Sequence, residues 1–480
     1  MEKKFIQFSN IPDHLQKTFE WLLTIEDFVT VRSLAKTIFK FLNPDDPTST
    51  DFLAYILQMS KSYREAAEVA LKTVEKLPRS ADALFNAAKC LNSAGHPDRA
   101  EQLIQKAIAL RPDWKLLDIE LAVFVSMQGR WDEAMKLMEE VLPQLPPDDK
   151  NADIVRYNLG WHLIRRGDFK SGIRNLSSGR KLNIWGNNRT TDHHPVLHPG
   201  VNLNGKTVLV RGDGGAGDEM INARFAKTIR DRGGRTIWAG QHPLYGLLSR
   251  SKNMDQVLTP EQVKNFKNFS TPYDFWVPGM DLPVALDLDL KEIPNIPYLS
   301  ADASFIEKWK NKLTSPSQSH PSRKFRIGIR WQGNALYEQD LMRSVPFKSF
   351  ERILNQPEFK NIEFYSLQRD EGVEELPKDS TVVNWGSDLK TWEDTAGAIE
   401  NLDLIISSCT SVPHLSAAMG KPTWVLCPLN CYYVWASPGE WSAWYPSVRL
   451  FRQTHLHSWE EPFSRIVQEL KSTVPRENNL

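Results

Sequence analysis

Cysteine is scarce in this chain. The four residues Cys90, Cys409, Cys427 and Cys431, among 480, are too few and too unevenly spaced for a disulfide framework. None falls in a Cys-x-x-Cys or His/Cys cluster with zinc spacing. An excess of one charge is also missing, since 59 Lys and Arg balance 59 Asp and Glu. That balance argues against the broad basic field that nucleic acid or an anionic membrane would attract, though not against a local basic pocket. No apolar run approaches ~18 residues, so no membrane span is expected. The opening stretch MEKKFIQFSNIPDH has Lys3 and Lys4 but no apolar segment behind them, which argues against a secretion signal. The expected setting is the reduced cytoplasm. What is present is the composition of a folded protein, with 41% hydrophobic residues, 25 Gly and 16 Trp. At ~100–200 residues per domain, the length suggests two to four domains.

The first third repeats itself. Ala66, Ala100 and Ala134 are 34 residues apart, and Pro78, Pro112 and Pro146 follow each by twelve. Small residues such as Ala100 and Ala107 let two antiparallel helices approach closely. Each Pro ends a second helix, because the residue before it disfavours the helical region. Gly95 and Gly129 sit at the turns between helices. A fourth unit carries Leu159, Gly160, Gly167 and Phe169 in register after a four-residue insertion, with Gly172 in place of the small Ala. The stretch before Pro44 keeps only the Pro phase and reads as an N-terminal cap. Such an array is either a plain scaffold or a concave face for a protein or peptide.

From about residue 200 the period changes. Apolar strands are expected at Thr207–Val210, Thr236–Trp238, Phe275–Val277, Phe325–Trp331, Ile362–Leu367, Thr381–Val383, Leu404–Ser407 and Thr423–Leu426, with helical patterns between them. This alternation implies parallel sheets covered by helices. A Ser/Pro-rich linker at 313–323 divides two Rossmann-like lobes, whose strand ends would face a cleft. The expected domains are therefore 1–185, 186–322 and 323–480. A last helix is expected to open on a capping box, Ser458 with Glu461, and to dock through Phe463, Ile466, Val467 and Leu470. One way to dock is back across both lobes.

Three loops could carry chemistry. In VRGDGGAGDEM, Gly212, Gly214, Gly215 and Gly217 leave backbone amides open to an anion or sugar, and Asp213 and Asp218 add carboxylates. The glycine spacing fits neither a dinucleotide fingerprint nor a P-loop. Asp218 suits two roles, a helix cap or a reactive carboxylate. In SSCTSVPHLSAAMGKP a strand runs into a helix with Pro413 in its first turn. Free amides near Thr410, Ser411 and Val412, with the two hydroxyls, suit a phosphate. His414 in the first turn is either a structural histidine or a diphosphate donor. In IRWQGNALYEQDLMRS, Arg343 and Ser344 are further candidates for anion contact.

The repeats resemble the tetratricopeptide repeat. LDLIISSCTSVPHLSAAMGKPTWVL resembles the diphosphate-binding motif of heptosyltransferase-like glycosyltransferases, and AGDEM resembles their first-lobe Gly-Asp loop. IGIRWQGN, RSVPF, FYSLQ, DTAGAIENLD and WYPSVRLFRQ recur in the family's order. Over essentially its whole length the chain is similar to bacterial proteins that join such repeats to such a domain, a plan shared with O-GlcNAc transferase. The resemblance implies an all-α solenoid followed by an α/β GT-B domain, a nucleotide-diphosphate sugar as donor and no required metal or other cofactor. It implies Asp218 as general base, diphosphate contacts from Thr410, Ser411, His414 and Arg343, and sugar or loop contacts from Cys409, Gly217, Asp213 and Gln332. It also implies a protein, peptide or glycan acceptor on the repeats.

Two departures stand out. Cys409 replaces the family's usual Asp, a group suited to sugar hydroxyls, and Arg211 with Asp213 replaces a commoner Glu-Gln. Cys409 is thus either a donor-sugar contact with weak polarity or a buried small hydrophobe. The departures sustain an alternative to transfer: a non-catalytic scaffold with a degenerate nucleotide-sugar-binding domain.

Overall fold

The computed structural model describes residues 12–40, 46–186, 194–266, 271–313, 324–335, 337–369 and 371–474. Lys3, Lys4, Pro44 and residues 314–323 of the linker lie outside them. Two compact units divide the chain at Pro146/Pro147, with Tyr337–Met342 belonging to the first.

The first unit is a stack of helix pairs: Asp13–Thr24 with Phe28–Phe39, Pro47–Met59 with Tyr63–Lys76, Ala81–Ser93 with Pro97–Leu110, and Lys115–Met127 with Trp131–Val141. The repeat residues Ala66, Ala100 and Ala134 are fully buried where paired helices meet, so a larger side chain would force them apart. Gly95 and Gly129 have φ of 89° and 81°, and their turns need that left-handed backbone. The equivalent residue one repeat earlier is Lys61, held at φ 66° without a glycine's freedom. Glu26, at φ 58°, does the same in the first described pair, so the stretch read as a cap is itself a helix pair.

The fourth repeat pair, Lys150–Arg165 with Phe169–Ser177, belongs to the second unit. A Cβ on Gly160 would lie 2.7 Å from Gly172 O and Leu176 N, which is why these helices cross on glycines. Ile164, Phe169, Ile173 and Leu176 share one apolar core with the α/β elements, and Phe169 packs edge-on to Trp444. By packing, the unit boundary thus lies before this pair rather than at 185.

The rest of the second unit is two parallel sheets. The first contains β1 (Thr207–Arg211), β2 (Arg235–Ala239), β3 (Gln256–Val257) and β4 (Phe275–Pro278), in the order β3-β2-β1-β4. The second contains β5 (Phe325–Arg330), β6 (Ile362–Ser366), β7 (Val383–Asn384), β8 (Leu404–Ser408), β9 (Thr423–Cys427) and β10 (Val448–Arg452), in the order β10-β9-β8-β5-β6-β7. The fold class is the expected one, a tetratricopeptide-type helical array followed by a two-lobed α/β region. The last helix is Glu460–Thr473, capped by Trp459 without a side-chain bond. Ser458 and Glu461 therefore form no capping box, because the helix starts two residues after Ser458. Phe463, Ile466 and Leu470 are buried in the core of the second sheet, with Phe463 edge-on to Phe350.

The topology marks two places. In the first sheet the chain steps outward from β1 to β2 and β3, then returns to β4 beside β1. In the second it steps from β5 to β6 and β7, then returns to β8 beside β5. Crevices at such switch points, outside the carboxyl ends of the strands, are where these sheets bind ligands. The loop after β1 carries Asp213 and Asp218. The loops after β5 and β8 carry Gln332 and the Cys409–Ser411 turn.

Candidate active site

The second-lobe side is built on the helix Ser411–Ala418, delivered by β8. Thr410 is its N-cap, yet makes no side-chain cap bond. Its Oγ1 is buried without a hydrogen-bond partner, and so is Ser408 Oγ nearby. Buried hydroxyls in that state carry a desolvation penalty of about 1–3 kcal/mol each. Arg343 closes one side, with NH1 and NH2 donating to Cys409 O and Asn334 O at 3.4 Å. Gly333 permits this: a Cβ there would meet Arg343 NH2 at 2.5 Å and Thr410 Cγ2 at 3.0 Å. Helix amides, an unpartnered hydroxyl and a guanidinium thus converge.

The first-lobe loop meets this helix directly. A Cβ on Gly217 would lie 3.3 Å from His414 Cδ2 and 3.4 Å from Ser411 Cα, so the two helix starts approach at a glycine. Asp218 stands in the first turn of Ala216–Asn222. Its Oδ2 accepts from Gly215 N at 2.7 Å, and its Oδ1 from the Tyr432 hydroxyl at 2.5 Å. Asp218 is therefore both a helix cap and a carboxylate facing the second lobe. Burial raises its pKa, while the bonds from Tyr432 and Gly215 and the charge of Arg343 pull it back.

His414 is buried, stacked on Trp435 with centroids 4.6 Å apart and planes 8° from parallel. Its Nδ1 lies 3.4 Å from the Tyr445 hydroxyl. Burial, helped by the charge of Arg224, pushes its pKa down to about 3, so the ring is neutral at physiological pH. Cys409 is buried in the common core, and burial pushes its thiol up to about 11.

The structure does not bring every candidate together. Asp213 is turned away, its Oδ2 accepting from Arg180 NH2 at 2.7 Å, with Gly186 packed against the carboxylate. It anchors the end of the fourth repeat pair. Gln332 Oε1 faces Gly372, where a Cβ would meet it at 2.1 Å, rather than Arg343. Tyr432, Trp435 and Gly333 escaped the sequence reading. The aromatic run CYYVW after β9 was the available signal for the first two. Among the described residues, no group of three His, Cys, Asp or Glu side chains converges as a metal site, and no helix is long and apolar enough to cross a membrane.

No protein-family model matches the chain. Protein FlbA of Caulobacter vibrioides is 23% identical over 463 residues, covering 90% of this chain and 74% of its own length. Similar solved structures include a glycosyl transferase family 9 protein of Veillonella parvula, 10% identical over 58% of this chain and 92% of that one, with a TM-score of 0.41. The E. coli ADP-heptose lipopolysaccharide heptosyltransferase II is 14% identical over 55% and 98%, with a TM-score of 0.39. A thermophilic TPR protein of Thermus thermophilus is 15% identical over 34% and 88%, with a TM-score of 0.28.

Proposed function

We propose that the chain is a glycosyltransferase that moves a sugar from a nucleotide-diphosphate sugar to a hydroxyl of a protein or glycan. The observation that carries this reading is the start of the helix Ser411–Ala418. It opens at a switch point, with Thr410 Oγ1 buried and unpartnered, Arg343 alongside, and the Asp218 carboxylate reaching in from the other lobe. The diphosphate would lie on the helix amides with Thr410, Ser411 and Arg343. Asp218 would take the proton of the acceptor hydroxyl as its oxygen bonds the anomeric carbon. The bond from that carbon to the diphosphate oxygen breaks, and its electron pair leaves with the nucleotide. Fixed dipoles and the Arg343 charge stabilise that leaving group with little reorganisation. The positive potential comes from the chain itself, so the reading needs no metal. The helical array would hold the acceptor.

One observation favours a second reading, a nucleotide-sugar-binding protein without turnover: both Asp218 oxygens already accept hydrogen bonds. Asp218→Asn separates the two. For a transferase, donor binding persists while turnover, including slow donor hydrolysis, drops about 10²–10⁴-fold. A protein that binds nucleotide sugars in calorimetry but neither transfers nor hydrolyses them is the binding protein. Failure to bind any nucleotide sugar would sink both.

A further inference from the structure

Arg224 is a fully buried guanidinium. Its Nε donates to Ile221 O at 3.0 Å, its NH1 to Trp444 O at 2.7 Å and Pro294 O at 3.1 Å, and its NH2 to the Tyr298 hydroxyl at 3.1 Å. Among the described residues no carboxylate pairs with it, although a buried charge ordinarily has one. It lies over the Tyr445 ring at 4.1 Å. Tyr445 in turn stands between Tyr298 and His414, 3.3 Å and 3.4 Å from hydroxyl to partner. Each phenol has one proton to give. Tyr298 gives its proton to Met220 O at 2.9 Å, and its oxygen already accepts from the Arg224 cation, which makes it a poor second acceptor. The better base open to Tyr445 is the imidazole nitrogen.

We propose that Arg224 and Tyr445 are positioning residues that direct the Tyr445 proton to His414 Nδ1, and so hold His414 as the tautomer with its own proton on Nε2, ready to donate to an anion at the Ser411–Ala418 helix. The stack on Trp435 fixes the ring plane, and the Cδ2 edge next to Nε2 faces Gly217 at the meeting of the two helix starts. The nearby Arg224 charge also opposes a second proton on the ring. This device rests on the donor reading for the identity of the anion, but its tautomer does not.

The test is nitrogen NMR on the free full chain labelled at histidine, with His414 assigned by the His414→Gln spectrum. The expected His414 pattern is a protonated-type signal for Nε2 and an unprotonated-type signal for Nδ1. Tyr445→Phe should pull both toward values averaged between tautomers, and Arg224→Met should do the same where it folds. Inorganic pyrophosphate, read by calorimetry, should bind Tyr445→Phe about 2–10-fold more weakly, as expected when only part of the population has the competent tautomer. A proton on Nδ1 in the unmodified protein would overturn the proposal. An unchanged tautomer, or unchanged pyrophosphate affinity, in folded Tyr445→Phe would overturn it too. Absence of pyrophosphate binding by the unmodified protein, with the tautomer as expected, would instead count against the donor reading.

Discussion

The Tyr432 hydroxyl donates to Asp218 Oδ1 at 2.5 Å, linking the aromatic run after β9 to the glycine-rich loop after β1. The bond favours the charged carboxylate, against the burial that disfavours it. Tyr432→Phe should therefore raise the Asp218 pKa further. If Asp218 is the general base, it works only when deprotonated, and the acidic limb of the rate profile should move to higher pH. Measuring kcat/KM against pH for the two proteins checks this. An unmoved limb would mean that Asp218 is not the group whose ionisation the profile reports.

Thr410→Val should act on stability and binding with opposite signs. The hydroxyl is buried and unpartnered in the free protein. An isosteric methyl removes its desolvation penalty, so resistance to unfolding should rise by roughly 1–3 kcal/mol. A nucleoside diphosphate that accepts from this hydroxyl should bind about 1.5–3 kcal/mol more weakly, the range for bonds to charged groups. Urea unfolding and calorimetry read the two effects. Loss of stability in Thr410→Val would show that the hydroxyl has a partner in solution.

His414 gives a pH signature. An exposed histidine in the unfolded chain takes up a proton near pH 6.5. In the fold it does so only at about 3. Between those values the unfolded state binds more protons, so stability falls as the pH drops from about 6.5 toward 3. His414→Gln removes this contribution, and its stability should decline less steeply over that window than that of the unmodified protein. Parallel declines in denaturant midpoint would mean that His414 is not held neutral.

Lys61 occupies a turn position that Gly95 and Gly129 hold in the next two repeats. A left-handed residue with a Cβ costs roughly 1–2 kcal/mol. Glycine returns part of that gain through its freer unfolded chain, roughly 0.5–1 kcal/mol. Lys61→Gly should thus stabilise the array by about 1 kcal/mol or less, and Gly95→Ala should destabilise it. Helical circular dichroism in urea checks both, and a destabilised Lys61→Gly would contradict the turn geometry.

The parts legible in sequence were those with local causes. Fully buried parallel strands read as apolar runs, which is why β8 and β9 stood out. β10 did not, because Arg449 and Arg452 interrupt its run; the structure pairs Arg449 with Glu440 and Glu469 and turns Arg452 onto the carbonyls of Trp435, Ser437 and Gly439. β3, a two-residue edge strand, has too little pattern to see. The loops with Asp218 and Thr410 were visible because glycine and capping chemistry are local. The division of labour between Asp213 and Asp218 was not, since Arg180 claims one and Tyr432 the other from distant parts of the chain. The Arg224–Tyr445–His414 arrangement was invisible for the same reason.

Cys409 is a buried thiol beside the start of the Ser411–Ala418 helix. It follows β8 directly, and its carbonyl accepts from Arg343 at 3.4 Å. The thiol is buried and stays protonated, with its pKa pushed up to about 11. A thiol is a weak donor and a weak acceptor, so it offers little to sugar hydroxyls. Cys409→Asp places a carboxylate in a site of the same small size. Burial of that charge should lower stability, and the Arg343 guanidinium should offset part of the loss. If the side chain borders the sugar, the new acceptor should shift preference toward donors bearing the matching hydroxyls, since such contacts discriminate strongly. Competition among nucleotide sugars with and without those hydroxyls reads the shift, and thermal unfolding reads the stability. A folded Cys409→Asp protein that loses stability but ranks donors unchanged would make Cys409 a packing residue, and donor choice would then rest with other side chains of the cleft.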